Sequence, residues 1–401
     1  MSKFTTNLLQ KLLSSPDEHS PSKVAIRISI WTIAVATLTL ALAFAITNGY
    51  KQTLKDKLSE SLGDATLLYR NPLNNWNLEP AQIDSSIISK TLNIEHIKSI
   101  TPKLSRGVVL KNQGKIAAVE LNGIDSANIH KIPALKNTDI NQGLIISKTQ
   151  AKKLDVNTGD SITIFILTTP FPTELKVKVG GIFEVGMEEV DNQIAWIKRT
   201  YLAETLALPT SFADSYIVNI DPNKRDQTWE IIDNLDTELA TTPVAIELTE
   251  DRFAHIYDWL SLLDNNVTLL IIIVTFVIAI NVIAAVLIIV LENTRTIGIL
   301  LSLGMRSRDI ERIFILQTFK TAFKGATIGL HIAIFAILIQ RYTQFIKLDP
   351  NSYIVDSLPV ELDLITMSCA FLGIVLIATI FSLLPAMIIA RTQPCKALKF
   401  D

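Results

Sequence analysis

The sequence predicts a membrane protein with four transmembrane helices and an α+β domain inserted between helices 1 and 2. Three observations lead there. Of the 401 residues 49% are apolar, and the mean hydropathy is +0.35, a balance found in membrane rather than soluble chains. Four stretches reach the roughly 20 apolar residues that cross about 30 Å of hydrocarbon at about 1.5 Å per residue. Between the first two stretches the pattern changes to short alternating runs divided by turn residues, as in a folded domain.

The spans are read at residues 28–48, 267–291, 313–340 and 364–390. The second is the clearest, running from Val267 without a charge and with Asn281 as its strongly polar interruption. The first follows Lys3, Lys11, Lys23 and Arg27. It is too long for a signal-peptide core and lacks a small-residue cleavage site, so it reads as a retained anchor. Lysine and arginine gather beside the spans in three places: the tail 1–27, the loop 292–312 with Arg295, Arg306, Arg308 and Arg312, and the tail 391–401 with Arg391, Lys396 and Lys399. The positive-inside rule puts all three in the cytoplasm and leaves residues 49–266 and 341–363 outside. Within the third span, Lys320 and Lys324 have stems long enough to snorkel to the surface. Gly325 and Gly329 form a GxxxG step that permits close approach by a neighbouring helix. Asn281 reads as interhelical glue and His331 as a neutral, hydrogen-bonded helix-packing residue.

In the outer domain, residues 106–111 and 115–122 flank Asn112-Gln113-Gly114 as a hairpin, and 160–168 with 174–183 form a second. Residues 82–92, 147–154 and 226–239 have helical spacing; 214–220 and 244–248 read as strands. The two cysteines, Cys369 and Cys395, lie outside this domain, so its stability rests on an apolar core and not on disulfides. Residues 50–62 continue the first span with helix formers as far as Gly63, and 251–264 lead amphipathically into the second. Such segments act as stiff levers if unbroken; the same pattern also describes surface helices near lipid, with Tyr257 and Trp259 as interfacial anchors.

Chemistry is sparse. There is no GxxxxGK[ST] phosphate loop, no HExxH, no paired-cysteine spacing and no GxSxG elbow. The five histidines are scattered, and the net charge of −2 argues against a nucleic-acid binder. No metal or cofactor is expected on this chain and no catalytic residue is assigned, so any work it does must be powered by another chain. The natural port is the loop 292–312. It has a helical pattern in which Ile297, Ile299, Leu300 and Leu303 offer an apolar face and Gly304 stands where a helix terminator belongs. A short amphipathic helix of this kind suits a groove on a partner, and taken alone equally suits the lipid surface.

Here a family resemblance enters. Residues 292–317 resemble the coupling segment of FtsX-domain ABC permeases, with Glu292, the basic Arg295, Ile297-Gly298-Ile299-Leu300 and Leu303-Gly304 ahead of Ile313-Phe314. That superfamily includes MacB-type exporters. Residues 179–191, 348–362, Asn48-Gly49-Tyr50 and 385–391 resemble corresponding segments of the lipoprotein-releasing permeases of LolC/LolE type. Departures are Val24-Ala25-Ile26-Arg27-Ile28-Ser29 before the first span and Thr318 in place of a glycine.

The resemblance implies a MacB-like periplasmic core as the inserted domain, a location in the bacterial inner membrane, and pairing with a second permease subunit, alike or different. Two cytoplasmic ATPases would carry the ATP and Mg and contact Glu292, Arg295, Ile297, Gly298, Ile299, Leu300, Leu303 and Gly304. The implied work is to lift acylated lipoproteins to a periplasmic carrier by mechanotransmission. The family's carrier-docking hook falls at 168–173, shortened here to a turn around Pro170, Phe171 and Pro172. Apolar faces of the first two spans, represented by Phe44, Ile46 and Ile271, are the expected acyl path. The same superfamily leaves two other readings open: a MacB-like exporter of peptides or drugs, and an FtsX-like scaffold that signals without transporting.

Overall fold

The computed structural model describes residues 20–69, 83–136, 138–167, 172–349 and 354–385. Two compact units emerge: residues 1–51, 259–347 and 357–401 in one, and 52–258 with 348–356 in the other. The chain enters through helix α1 (Pro21–Leu62), 42 residues without interruption. It stops at Gly63, whose N–H donates back to the Ser59 carbonyl at 2.7 Å.

The second unit then runs β1 (Ala65–Tyr69), α2 (Ser85–Leu92), β2 (Ile97–Asn112), β3 (Lys115–Ile124), β4 (Leu144–Ser147), α3 (Lys148–Leu154), β5 (Ser161–Ile166) and β6 (Thr173–Phe183). It continues with α4 (Glu188–Gln193), β7 (Ile194–Lys198), α5 (Arg199–Thr205), β8 (Ser215–Ile220), α6 (Thr228–Leu239), β9 (Val244–Leu248) and α7 (Thr249–Arg252). The strand order is β3-β7-β4-β6-β5-β2-β8-β1-β9, and β3 also pairs with β2, closing the first six strands into a ring. Strand β2 serves two sheets. Its first half pairs with β8 from Ile97 to Lys103, and its second half pairs with β3 and β5. The remaining three join the first half of β2 in a four-stranded antiparallel sheet, β2-β8-β1-β9. Their connectivity, β1-α2-β2 followed by β8-α6-β9, is the split β-α-β arrangement of ferredoxin-like folds, with the ring inserted between its halves.

Each sheet has its own core. Leu104, Val108, Leu121, Ile146, Ile164 and Val179 fill the ring; Leu67, Val218, Ile220, Ile231, Leu235 and Leu248 lie between the four-stranded sheet and its helices. Strand β5 shows why the sequence folds this way: Ile162, Ile164 and Ile166 point inward and the residues between them outward, the period of two that a half-buried strand requires. Both expected hairpins form, in the expected antiparallel pairing. Strands β4 and β7 escape sequence reading because they are four and five residues long and almost wholly buried, so no alternation marks them. The helix expected from residue 226 begins at Thr228, after a 3₁₀ turn over Pro222–Gln227. The expected lead-in helix 251–264 is broken at Phe253, a fully buried residue with non-helical backbone between α7 and the next helix.

That next helix is α8 (Ala254–Glu292), followed by α9 (Thr294–Ser302), α10 (Ser307–Thr343) and α11 (Leu364–Phe381). Among the described residues four helices are long and apolar enough to cross a membrane: α1, α8, α10 and the stretch Leu364–Pro385 containing α11. Ile33, Ala36 and Leu40 of α1 pack with Ile278 and Val282 of α8, Ala322 and Ala326 of α10 and Ile374 of α11. The GxxxG step meets α1 directly. A Cβ on Gly325 would sit 2.7 Å from the Ile30 carbonyl oxygen, and one on Gly329 2.2 Å from that of Ala34, so only glycine permits this crossing. Asn281 donates to the Thr32 hydroxyl at 3.2 Å, the interhelical bond its sequence position suggests. His331 bonds the Thr327 carbonyl of its own helix at 2.7 Å and is exposed, so it does not pack between helices.

Candidate functional site

Helix α9 is built for a fixed position. Asn293, buried, donates its side-chain amide to the Ile289 carbonyl at 2.8 Å and turns the chain from α8 into α9 within one residue. At the other end Leu303 is the C-cap and Gly304 follows with φ +88. The Gly304 N–H donates to the Leu301 carbonyl at 3.0 Å and the Met305 N–H to that of Leu300 at 3.1 Å. Those two bonds define a Schellman turn, and its accompanying apolar contact is supplied by Leu300 and Met305 within one cluster. A left-handed backbone there favours glycine, which explains the residue the sequence singled out.

The apolar face expected on this helix divides in two. Ile297, 4% exposed, and Gly298 face inward, with Ile297 packed on Ile289, Ile310 and Phe314 and with Leu300 partly buried beside them. Ile299 is 46% exposed and Leu303 78%, and with exposed Arg295 they recur every four residues along one strip. The inner residues anchor α9 to the ends of α8 and α10. The outer strip, apolar with a cation at one end, is available to a groove. Glu292 belongs to neither face: its carboxylate accepts the Ser22 N–H at 2.7 Å.

Further along the same helices, α1 and α8 are tied together. Lys51 pairs with Asp264 at 2.6 Å, and the Tyr50 and Trp259 rings meet edge to face with centroids 6.1 Å apart. The Glu361 N–H donates to the Ala45 carbonyl at 3.0 Å, and a Cβ on Gly49 would lie 2.8 Å from the Val360 Cα. Gly49 and Val360, each from a segment flagged by family resemblance, are thus in contact.

In the other unit, Lys55 stands 5.6 Å from the centre of the Tyr257 ring. Arg225 bridges Asp56 at 2.7 Å and Asp64 at 3.1 Å, and Asp64 also accepts the Ile220 N–H at 2.7 Å. These contacts bind the last turns of α1 to the four-stranded sheet. Where ring and sheet share β2, Glu120 lies between Lys103, 3.5 Å away, and Arg252. Burial opposes its charge, but the two cations outweigh that and hold the carboxyl at about 2. His255, in the first turn of α8, bonds Glu189 of α4. Asp191 closes the 179–191 segment by accepting the Val185 and Gly186 N–H groups at 3.0 and 3.2 Å. Burial raises its pKa in spite of these bonds.

The other expected positions are less concentrated. Pro170 and Phe171 lie outside the described residues, and Pro172 is exposed just before β6. Phe44 and Ile46 are half-buried on α1, projecting about 200° apart at 3.6 residues per turn. Ile271 packs into the cluster around Ile33. Sequence reading missed the outward face of α8, where Leu269, Ile272, Ile273, Phe276 and Ile280 are exposed at helical spacing. It also missed Ser22 and the Lys51–Asp264 pair, whose partners lie too far apart in sequence to form a local pattern.

Four apolar helices, a ring-and-sheet domain inserted after the first, and a short capped helix between the second and third define a class, that of the ABC transporter permeases. Residues 28–235 match the MacB-like periplasmic core domain and residues 268–394 the FtsX-like permease C-terminal domain. The chain belongs to this FtsX/MacB-core family and is a permease subunit, not the ATPase. Among its relatives is the lipoprotein-releasing system transmembrane protein LolC of Xylella fastidiosa, 22% identical over 398 residues and 93% of each chain. LolE of Haemophilus influenzae is 23% identical over 409 residues, 91% of this chain and 92% of that one. The macrolide export ATP-binding/permease protein MacB of Pectobacterium atrosepticum is 23% identical over 329 residues, 76% of this chain and 47% of that one.

Proposed function

We propose that this permease releases lipoproteins from the bacterial inner membrane toward a periplasmic carrier. The observation that carries the reading is coverage. LolC is matched over 93% of both chains, whereas the MacB exporter is matched over 47% of its own length.

In this reading the Arg295, Ile299 and Leu303 strip of α9 docks in a groove of a cytoplasmic ATPase, which holds the ATP and Mg. Ile297, Gly298 and Leu300 fasten α9 to its neighbours, and the Gly304 turn sets its direction. Displacement passes along α1 and α8, whose Lys51–Asp264 and Tyr50–Trp259 contacts keep them together. Drawing one acyl chain out of lipid costs on the order of 10 kcal/mol at about 0.8 kcal/mol per methylene, so release needs both ATP and an apolar shelter. A second permease subunit, alike or different, closes that shelter against faces carrying Phe44, Ile46 and Ile271. The segment carrying Pro170, Phe171 and Pro172 meets the carrier.

The test is depletion in the living cell followed by membrane fractionation. Acylated lipoproteins are expected to accumulate in the inner membrane. An unchanged distribution contradicts the proposal and favours the exporter or the FtsX-like scaffold.

A further inference from the structure

We infer that Glu292 fastens the first span to the junction between α8 and the coupling helix, so that α1 is driven by the ATPase together with the two helices that flank α9 in sequence. The inference rests on the docking role proposed for α9. By chain connection α9 touches only α8 and α10, and the first turn of α1 lies 270 residues earlier.

The contact is a charge-assisted cap. The first N–H groups of a helix have no acceptor within it, and that end carries the positive pole of the helix dipole. Ser22 is the second residue of α1, and its N–H meets the Glu292 carboxylate at 2.7 Å. Glu292 is the last residue of α8, a position where that helix's own dipole disfavours a carboxylate. The placement becomes favourable through α1. Around it the Ser20 and Ser22 hydroxyls lie 2.8 Å apart, both residues buried.

A second tie is apolar. Ile26, one turn further along α1, packs with Ile289 of α8, Ile297 of α9, and Ile310 and Phe314 of α10. One polar contact therefore joins the starting turn of α1 to the end of α8, two residues before α9 begins, and one apolar contact joins it to α9 itself. From there α1 runs unbroken to Leu62, on the order of 60 Å at about 1.5 Å per residue. Glu292 is accordingly a positioning residue acting through α1, and no part of the outward docking strip.

The test uses the full transporter in a deletion strain and scores the amount of chain needed for complementation, a readout independent of the cargo. Glu292→Ala is expected to require about tenfold more protein, the scale of one charge-assisted hydrogen bond, while keeping the ATPase on the purified complex. Glu292→Gln, which retains an acceptor oxygen, stays within about twofold of wild type on the same scale. In a chain with Cys369 and Cys395 replaced by serine, the pair Ser22→Cys and Glu292→Cys shows the same loss, and a short bifunctional thiol linker restores function. Leu303→Asp separates the two ideas: loss of the ATPase from that variant supports docking, and its retention overturns docking. Full activity of Glu292→Ala, or failure of the linker to restore the inserted cysteine pair, overturns the fastening.

Discussion

The two units of this protein are held together by different forces, and the difference follows the solvent each one meets. In the helical unit close approach depends on absent side chains: Gly325 and Gly329 bring α10 onto the backbone of α1, with Ala322 and Ala326 beside them. A hydrogen bond from Asn281 to Thr32 crosses between α8 and α1. The ring-and-sheet unit instead uses alternating apolar strands and buried or half-buried ion pairs, including Arg225 with Asp56 and Asp64, Arg199 with Asp125, and Glu120 between Lys103 and Arg252. Lipid tails are as apolar as leucine, so burying leucine there gains little and close packing must hold the helices. In water the apolar core stabilises, and charges at its rim specify how sheets meet.

Substitutions should respect that division. The largest effect is expected from Gly329→Leu, whose side chain meets the Ala34 carbonyl. Because the obstacle is backbone, the cost should exceed the roughly 3 kcal/mol that bounds ordinary overpacking. Gly373→Leu, where nothing lies within 4 Å, should be neutral. Detergent unfolding of both variants makes the comparison, and equal stability would break it. Arg225→Ala comes next, at about 3 kcal/mol, because it leaves the Asp64 carboxylate, 2% exposed, without its cation. Hydrogen exchange at β1 and β8 should report it.

Glu120 makes the contrast pH-dependent. Its folded pKa, about 2, lies below the ordinary 4.5. The stabilisation is therefore complete above about 4.5 and is lost as pH falls toward 2, a change of about 2–3 kcal/mol. Glu120→Gln should flatten that acid limb in thermal unfolding of the full chain; an unchanged limb would show that Lys103 and Arg252 do not hold the charge. The smallest effect is expected from Asn281→Leu, about 0.6 kcal/mol, since polar contacts between membrane helices average little more. A loss as large as that of Arg225→Ala would erase the distinction between the units.

What the sequence revealed depended on range. The four spans were legible because each is a continuous apolar run, and Gly304 was legible because a helix terminator is a local signal. The hairpin of β2 and β3 was legible from its turn and alternation. Closure of the ring was not, because it requires the second half of β2 to pair with its neighbour β3 along one edge and with the more distant β5 along the other. Helix α9 shows both cases at once. Its helical pattern was visible, but its apolar residues were assigned to one face, and only packing against Ile289, Ile310 and Phe314 separates Ile297 from Leu303. Glu292 was grouped with that helix by motif, although its hydrogen-bond partner lies at the opposite end of the sequence.

The proposed function requires the membrane to lie between α9 and the ring-and-sheet domain. Single cysteines at Ser302 and Lys153, both exposed, in a chain otherwise free of cysteine, can be treated in intact cells with a membrane-impermeant maleimide after the outer envelope is opened. Lys153→Cys should label at once, and Ser302→Cys only in inverted vesicles. Labelling of both from the same side would contradict the proposed function, in which α9 is driven on one face of the membrane and the ring-and-sheet domain works on the other.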